Sequence, residues 1–321
     1  MTPVTRLRIY LPYALIAAFA AWCALAFQAD FAQLPLRALS SSGDVLLAVA
    51  ALSLVNYTLR IVRWRGYLTR LGYRFRLRTT AALYVSGFAF TLAPGKLGEL
   101  ARARYYTPLG VPLVTVTGAF VVERLMDLVA IATMAALAIS TFGRYRPLLW
   151  LAAALLVCVL VMLACWPHMA ARLDGAPTLP IPQRLRGALA VVNRSLSQAG
   201  ELLRPGMLAS SFPLSLAAWA AEGAGLGILL SLFPQTRVDL GLAAGIYATA
   251  VLVGGISFLP GGLGTTEAVM TGLLVARGLR LPDAMLATLL CRLLTLWFAV
   301  VLGWLAVFGL RRRAEAVPRW P

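Results

Sequence analysis

Two similar stretches decide the fold of this chain, Leu92-Ala93-Pro94-Gly95-Lys96-Leu97-Gly98-Glu99 and Phe258-Leu259-Pro260-Gly261-Gly262-Leu263-Gly264-Thr265-Thr266-Glu267. We call them the first break (residues 92–99) and the second break (residues 258–267). Each follows an apolar stretch, residues 80–93 and 240–258, and each leads into a short helical piece, residues 98–106 and 265–278. Pro and Gly interrupt helices, and at membrane depth such interruptions are tolerated where the backbone lines a cavity or is buried in protein. We therefore expect two broken or re-entrant hairpins.

The rest of the chain has the composition of an integral membrane protein. Its 321 residues are 60% hydrophobic and 13% charged, with a mean hydropathy of +0.82. So little polar surface cannot cover a water-soluble globule. A transmembrane helix needs about 20 mostly apolar residues. Six segments qualify: residues 9–28, 45–63, 118–141, 148–166, 207–231 and 283–309. The predicted fold is an all-α polytopic membrane protein, with about six transmembrane helices and the two hairpins in one domain, residues 1–321.

Positive charge predicts the orientation. The net charge is +17, which in a soluble protein would suggest nucleic-acid binding. In membrane proteins, positive residues accumulate in cytoplasmic loops. Cytoplasmic N- and C-termini place 18 basic residues inside and 6 outside, with Arg60 and Arg63 counted in a cytoplasmic loop. The first hairpin then enters from the cytoplasm and the second from outside, as in an inverted-repeat transporter whose substrate site lies between the two copies. A chance match between two generic helix breakers is the alternative.

The longest hydrophilic stretch, residues 167–206, predicts a cytoplasmic amphipathic segment. Its apolar residues recur at steps of three, four and seven, with polar residues elsewhere around the helix, as in helices that lie in the membrane interface. The apolar positions are Leu185, Leu189, Val192, Leu196, Ala199 and Leu203. We expect this segment to anchor the protein.

The first break has the composition of an anion site. A helix that begins after a break offers free N–H groups and a positive dipole end. The glycines allow close backbone approach, the lysine adds a point charge, and arginines can fork onto phosphate oxygens. We expect a phosphate-bearing headgroup to bind here. The predicted phosphate-binding residues are Gly95, Lys96, Gly98, Arg102 and Arg104.

The second break offers backbone donors and two hydroxyls but no cation. It suits a neutral sugar or an amine, or it acts as a gate. Its defining residues are Pro260, Gly261, Gly262, Gly264 and Thr265.

Several charged residues fall inside apolar segments. A charge at the centre of a transmembrane helix costs at least about 2.5–3.5 kcal/mol, so it usually faces the protein interior and marks a pathway. Ion pairs that fix helix packing and a network that includes proton carriers are both open interpretations. The acids are Glu99, Glu123, Asp127, Glu222 and Glu267; the network also includes Arg124 and Arg292. Together with Lys96, Arg102 and Arg104, these arginines make five cations against five acids.

Other site types lack support in the sequence. The four cysteines have no CxxC spacing, so neither a disulfide scaffold nor a metal site is expected. No GxxxxGK[ST] loop is present, so direct ATP hydrolysis is not expected. The single histidine, His168, lies at a loop edge, and no nucleophile–base pair accompanies it. We predict no cofactor and no catalytic residues.

In these motifs the chain resembles the flippase-like family defined by the transmembrane region of lysylphosphatidylglycerol synthases, also called multiple peptide resistance factors. The resemblance spans about residues 10 to 310. It implies an integral protein of a bacterial inner membrane, or of an archaeal equivalent, that moves an anionic phospholipid or a polyprenyl-phosphate-linked headgroup between leaflets. Because the chain ends at Pro321, we expect a stand-alone member without the aminoacyl-transferase domain. The residues that carry the resemblance are Pro94-Gly95-Lys96-Leu97-Gly98-Glu99, Arg102, Glu123-Arg124, Asp127, Pro260-Gly261-Gly262-Leu263-Gly264, Glu267 and Arg292.

Two other functions remain open from the sequence. One is an intramembrane transferase that modifies a lipid-linked substrate with a Glu or Asp as base. The other is a non-transporting partner of a lipid-modifying or glycosyl transferase.

Overall fold

A computed structural model describes residues 42–139, 158, 161–163, 165–166, 183–233 and 238–315. The side chains of residues 94–96, 137–139, 183–188 and 313–315 lie outside this description. The described residues are helical apart from short turns, and none of them forms a strand, which confirms the all-α prediction. The predicted spans 9–28 and most of 148–166 lie outside the described residues.

Long helices alternate with short ones around the two breaks. The α-helices are α1 (Gly43–Arg70), α2 (Leu77–Ser86), α3 (Ala103–Tyr106), α4 (Leu113–Ile139), α5 (Gln183–Leu202), α6 (Pro205–Leu230), α7 (Leu240–Ile256), α8 (Thr265–Val275), α9 (Leu281–Arg292) and α10 (Phe298–Glu315). Turns of 3₁₀ helix cover Gly87–Phe90, Pro94–Arg102, Thr107–Leu109 and Pro260–Gly262, and a π-helical turn, Leu293–Trp297, joins α9 to α10. Within this part of the chain, three helical stretches are long and apolar enough to cross a membrane: α1, α6 and Leu281–Arg312.

Helix α1 is longer than the sequence predicted. The expected span ended at residue 63, whereas the helix continues to Arg70. Arg60 and Arg63 are only 5% and 2% exposed. Their assignment to a cytoplasmic loop was therefore wrong, because the helix carries both guanidinium groups into the protein interior, where acidic partners receive them.

Helix α5 lies within the predicted amphipathic segment and packs against α4. Gly118 on α4 allows this contact, because a Cβ there would lie 2.7 Å from the Ser195 carbonyl oxygen. Ser195 and Ala199 are buried, while Leu189 and Val192, nearer the start of the helix, are about half exposed. The predicted apolar stripe is therefore covered by protein toward the end of α5 and exposed near its start, and its role at the membrane interface stays a prediction.

The chain after each break follows the same local plan. Gly110 and Gly278, eleven residues after Glu99 and Glu267, both have positive φ, at 83° and 93°. Each ends its helix with the same pair of backbone hydrogen bonds: Gly110 N–H donates to Thr107 and Val111 N–H to Tyr106, as Gly278 N–H donates to Val275 and Leu279 N–H to Leu274. These are the bonds of a left-handed helix cap, which glycine adopts without strain. The repeat seen in the two motifs therefore extends through the following turn.

The two breaks lie against each other. A Cβ at Gly261 would lie 2.7 Å from Cδ2 of Leu92. Close approach also brings α10 onto the 3₁₀ turn before the first break, since a Cβ at Gly303 would lie 2.6 Å from the Phe88 carbonyl carbon. Glycine at these positions brings the broken segments into direct contact with each other and with the last helix.

Candidate functional site

A buried charge cluster joins α1, the first break and α4. It contains four arginines and three carboxylates, and among the described residues its ion pairs link every member. Side-chain exposure is 6% or less for all members except Arg124, at 17%. The members of the charge cluster are Arg60, Arg63, Glu99, Arg102, Glu123, Arg124 and Asp127.

Glu123 and Asp127 lie one turn apart on α4 and face the same arginines, as their spacing predicts. Asp127 is 2.8 Å from Arg63 and 3.1 Å from Arg124. Glu123 accepts hydrogen bonds from Arg102 and from the Tyr84 hydroxyl. Both carboxylates are thus shared between several guanidinium groups, which compensates the cost of burying their charges.

Arg102 lies deeper than any other cation of the cluster. It is fully buried, and its Cζ lies 3.7 Å from the ring centroid of Trp64 and 4.6 Å from that of Tyr84. Such stacking on aromatic faces favours a guanidinium group. Arg102 therefore binds the Glu123 carboxylate and stacks on two aromatic rings, so protein groups occupy its guanidinium.

A second ion pair fixes the second break. Arg292 Nε donates to Glu267 at 2.6 Å, and its Nη2 donates to the Gly261 carbonyl at 2.7 Å. The other carboxylate oxygen of Glu267 accepts the Gly264 N–H at the start of α8. This arrangement matches the first break, because Arg124 donates to Glu99 and both pairs are separated by 25 residues. We call Arg292, Glu267 and the Gly261 carbonyl the clamp.

A cavity of about 370 Å³ lies between the charge cluster and the second break. Arg60, Arg124 and Asp127 line it on the side of the charge cluster. Gly261 and Gly262 of the second break also line it, and the remaining wall is mostly apolar. The cavity is therefore an apolar chamber with charged groups placed at defined points, as in sites for ligands that have a polar and an apolar part.

The cavity wall contains a further acidic residue, Glu222, which lies far from the first break in the sequence. It lies on α6, is 6% exposed and accepts a hydrogen bond from the Tyr247 hydroxyl. Arg292 lines the same cavity. The structure thus brings Glu222 and Arg292, predicted from the sequence as parts of one network, into a common site with Arg124 and Asp127.

The predicted phosphate-binding residues differ in their surroundings. The side chain of Lys96 lies outside the described residues, although its backbone and that of Gly95 belong to the 3₁₀ helix Pro94–Arg102. Gly98 packs against the chain before it, since a Cβ there would lie 2.7 Å from that of Ala93. Arg102 is engaged with Glu123, and Arg104 is exposed on α3. A phosphate-binding role for this set stays a prediction.

The second break is strongly bent. Gly261, Gly262 and Gly264 all have positive φ, and so does Phe258, at 55°. After Pro260 these glycines permit a path that other residues adopt only with strain. Thr265 donates to Ser257 at 3.0 Å, which closes the turn.

Sequence reasoning missed Arg60 and Arg63 as members of the site. A signal was present: Asn56, Arg60, Arg63 and Tyr67 recur every three to four residues and form one buried polar face of α1. Asn56 donates to the Ala218 carbonyl at 2.8 Å, and Arg63 donates to the Ser215 hydroxyl, so this face points at α6 as well as at α4.

Comparisons with known proteins identify the family of the chain. The family model described as "Lysylphosphatidylglycerol synthase TM region" matches residues 9–303, which include the charge cluster, both breaks and the clamp. A search among curated proteins gave no match. Since the family model covers most of the 321 residues, the chain belongs to the family of lysylphosphatidylglycerol synthase transmembrane regions.

Proposed function

We propose that this protein moves a lipid with a phosphate-bearing headgroup, a phospholipid or a polyprenyl-phosphate-linked lipid, between the leaflets of a bacterial inner membrane. Membership of the family supports a membrane lipid-related function. The observation that carries the more specific proposal is the position of the cavity, which has the second break on one side and, on the other, the charge cluster that includes Glu99 of the first break.

The lining of the cavity suits the two parts of a lipid. The apolar wall can cover acyl or prenyl carbons, while Arg60 and Arg124 offer donors to phosphate oxygens. Broken helices that meet at a central site are typical of transporters that open alternately to the two sides. The matching ion pairs Glu99–Arg124 and Glu267–Arg292 give each break its own support, so either break can move while the other holds.

Energy for net movement would come from an ion gradient or from the lipid gradient itself. Glu123 and Asp127 are each shared by several arginines, and Glu267 is held by Arg292, so proton uptake at these positions would break ion pairs. Glu222 accepts a hydrogen bond from the Tyr247 hydroxyl and lines the cavity, and for its place in the cavity wall we favour it as the proton carrier among the four acids.

Transport can be tested with a variant that fills the cavity. Gly255 lines it, and a Cβ at Gly255 meets nothing within 4 Å, so Gly255→Trp adds bulk to the chamber without a backbone clash. Gly272→Trp is the matched control, because Gly272 is also helical and open but is not among the described residues that line the cavity. The measurement is movement of fluorescently labelled phosphatidylglycerol between leaflets of reconstituted vesicles.

We expect the wild-type protein and Gly272→Trp to accelerate this movement and Gly255→Trp to lose most of the acceleration. No acceleration by the wild-type protein, or equal activity in Gly255→Trp, contradicts transport through this cavity. A chemically altered lipid recovered from the vesicles would instead support an intramembrane transferase.

A further inference from the structure

We infer that the contact between the two breaks is a gate of the cavity and that Arg292 holds it closed; this inference rests on the proposed lipid transport. Three residues form the contact: Leu92 of the first break, Gly261 of the second break and Leu296 of the π-helical turn. We call these three residues the gate. Alternating access requires a barrier that opens the central site to one side at a time. The gate is one such barrier.

The gate is made by close apolar contact. A Cβ at Gly261 would lie 2.7 Å from Cδ2 of Leu92 and 3.5 Å from Cδ2 of Leu296. Gly261 has a φ of 62°, which glycine adopts without strain. This bend brings the backbone of the second break against both leucines. Van der Waals contacts are weak for each pair of atoms and have no fixed direction, so such a contact can part and form again.

The cavity ends at the gate. Gly261 and Leu296 line the cavity, whereas Leu92 is not among the described residues that do so. Leu92 is nevertheless partly exposed, as is Ala93 next to it. The exposed surface of Leu92 therefore lies outside the cavity, and the wall at this point is one leucine side chain thick. Separation of Leu92 from Gly261 would open the cavity toward the first break.

The two leucines belong to the fixed side of the gate. Thr91, which precedes the first leucine, donates a hydrogen bond to Glu99 of the charge cluster at 2.7 Å. Thr295, which precedes the second leucine, accepts a hydrogen bond of 2.6 Å at its carbonyl from the Tyr57 hydroxyl on α1. All four of these residues are buried. Buried hydrogen bonds are costly to break, so they hold both leucines in place.

Gly261 is the movable side of the gate, and Arg292 is its latch. Arg292 Nη2 donates to the Gly261 carbonyl at 2.7 Å, and Nε of the same side chain binds Glu267 at 2.6 Å. Gly262 and Gly264 also have positive φ, so the backbone on this side has the conformational freedom of glycine. When Arg292 releases the carbonyl, the second break can move away from the leucines.

The latch can respond to the content of the cavity. Arg292 lines the cavity, so the guanidinium group that holds the Gly261 carbonyl is also within reach of a bound ligand. A hydrogen-bond acceptor on that ligand competes with the carbonyl for the same N–H donors. Binding in the cavity therefore loosens the gate, which links loading of the site to its opening toward the first break.

The distance between the breaks tests the gate without a transport assay. Spin labels are attached at Leu97→Cys, in the first break, and at Ile256→Cys, just before the second, in the full chain without its native cysteines. Both positions are exposed. Pulsed electron paramagnetic resonance in detergent gives the distribution of distances. We expect one short distance with Arg292 present. Arg292→Gln should add a longer distance and raise the ratio of separated to closed protein at least about ten-fold, the effect of one lost hydrogen bond to a charged group.

Arg280→Gln is the matched control for this measurement. Arg280 also pairs with an acid near one end of α9, Asp283, but its side chain is 68% exposed. An exposed pair of this kind contributes little to the structure. The control should therefore keep the single short distance.

A disulfide across the gate tests its role in transport. A Cβ at Gly261 would lie 3.7 Å from Cα of Leu92, which is close enough for a disulfide. Leu92→Cys also removes the Cδ2 atom that a side chain at position 261 would meet. We expect the double variant Leu92→Cys/Gly261→Cys, in the background without native cysteines, to move labelled lipid when reduced. It should lose most of this movement when oxidised. The reduced protein is the control for the substitutions themselves.

A single short distance in Arg292→Gln overturns the inference, as does full transport by the oxidised double variant. If the reduced double variant does not fold, the distance measurement still decides. Separation of the breaks in Arg292→Gln, without lipid movement by the wild-type protein, contradicts only the proposed function. Lipid movement by a protein whose breaks never separate contradicts only the gate.

Discussion

Glu123 has more partners than any other carboxylate of the charge cluster. It accepts from Arg102 and Tyr84, and Arg60, Arg63 and Arg124 lie within 3.6 Å of it. Its removal would leave several guanidinium groups without their shared counter-charge. The stability of the fold should therefore depend on this one side chain more than on any surface charge.

Glu123→Gln should lower the free energy of unfolding by about 3–5 kcal/mol, the cost of breaking a buried ion pair. Glu201→Gln is the matched control, because Glu201 pairs with Arg204 at the surface, where the two side chains are 41% and 57% exposed. Its effect should stay below about 1 kcal/mol. Thermal unfolding in detergent measures both. If the two variants lose similar amounts of unfolding free energy, burial does not make Glu123 more important for stability than a surface carboxylate.

The sequence identified the acids of the site better than its cations. Glu99, Glu123 and Asp127 could be assigned because carboxylates within apolar segments need partners. Arg60 and Arg63 could not, because arginines near the end of an apolar run are equally typical of a cytoplasmic loop, where the side chain reaches water. The position of α4 beside α1 decides between a loop arginine and a buried one. That contact joins residues about 60 positions apart, such as Arg60 and Glu123.

At the scale of helices, small residues determine how closely the broken segments approach α10. Gly303 lies against the backbone of Phe88 and Ala89 just before the first break. Since backbone cannot move aside as a flexible side chain does, even one added methyl group forces α10 away from the 3₁₀ turn.

Gly303→Ala should therefore destabilise the protein by about 1–3 kcal/mol, as overpacking does. Gly309→Ala on the same helix meets nothing within 4 Å and should be neutral or stabilise by up to about 1 kcal/mol through helix propensity. The unfolding temperatures of the two variants give the comparison. A neutral Gly303→Ala would mean that α10 does not pack on this turn.

Helix boundaries near the breaks were predictable because Pro and Gly mark them. The sequence placed the second helical pieces at residues 98–106 and 265–278, and the structure has α3 ending at Tyr106 and α8 covering Thr265–Val275. The 3₁₀ winding of Pro94–Arg102 was not predicted, and neither was the close packing of Gly98 against the chain just before it.

For the whole molecule, the repeat is broader than the two motifs in which it was first visible. Both copies contain a Glu, a glycine with positive φ eleven residues after that Glu, and an Arg 25 residues after the same Glu. The spacings can be read from the sequence, but only the structure shows that Glu99 pairs with Arg124 and that Glu267 pairs with Arg292. The opposite orientation of the two copies in the membrane stays a prediction.

Cysteine labelling tests that orientation in a background without the four native cysteines. The ends of the first hairpin, Arg74→Cys and Thr107→Cys, should both react from the cytoplasmic side with a membrane-impermeant maleimide. The ends of the second, Leu240→Cys and Ala276→Cys, should both react from the opposite side. All four positions are exposed.

The outcomes separate the possible topologies. Reaction of Arg74→Cys and Thr107→Cys from opposite sides would show that the first hairpin spans the membrane completely. Reaction of all four positions from one side would rule out inverted copies. Intact spheroplasts and inside-out vesicles supply the two accessible faces for the comparison.

The order of the charge cluster along the chain has a consequence for biogenesis. Helix α4 carries Glu123, Arg124 and Asp127 and is not among the three described stretches apolar enough to cross a membrane by themselves. Every described ion-pair partner that these residues have outside α4 lies between Arg60 and Arg102, so it precedes α4 and leaves the ribosome before it. The nascent chain can therefore neutralise α4 as it emerges, so that the helix enters the bilayer as part of a preassembled unit rather than alone.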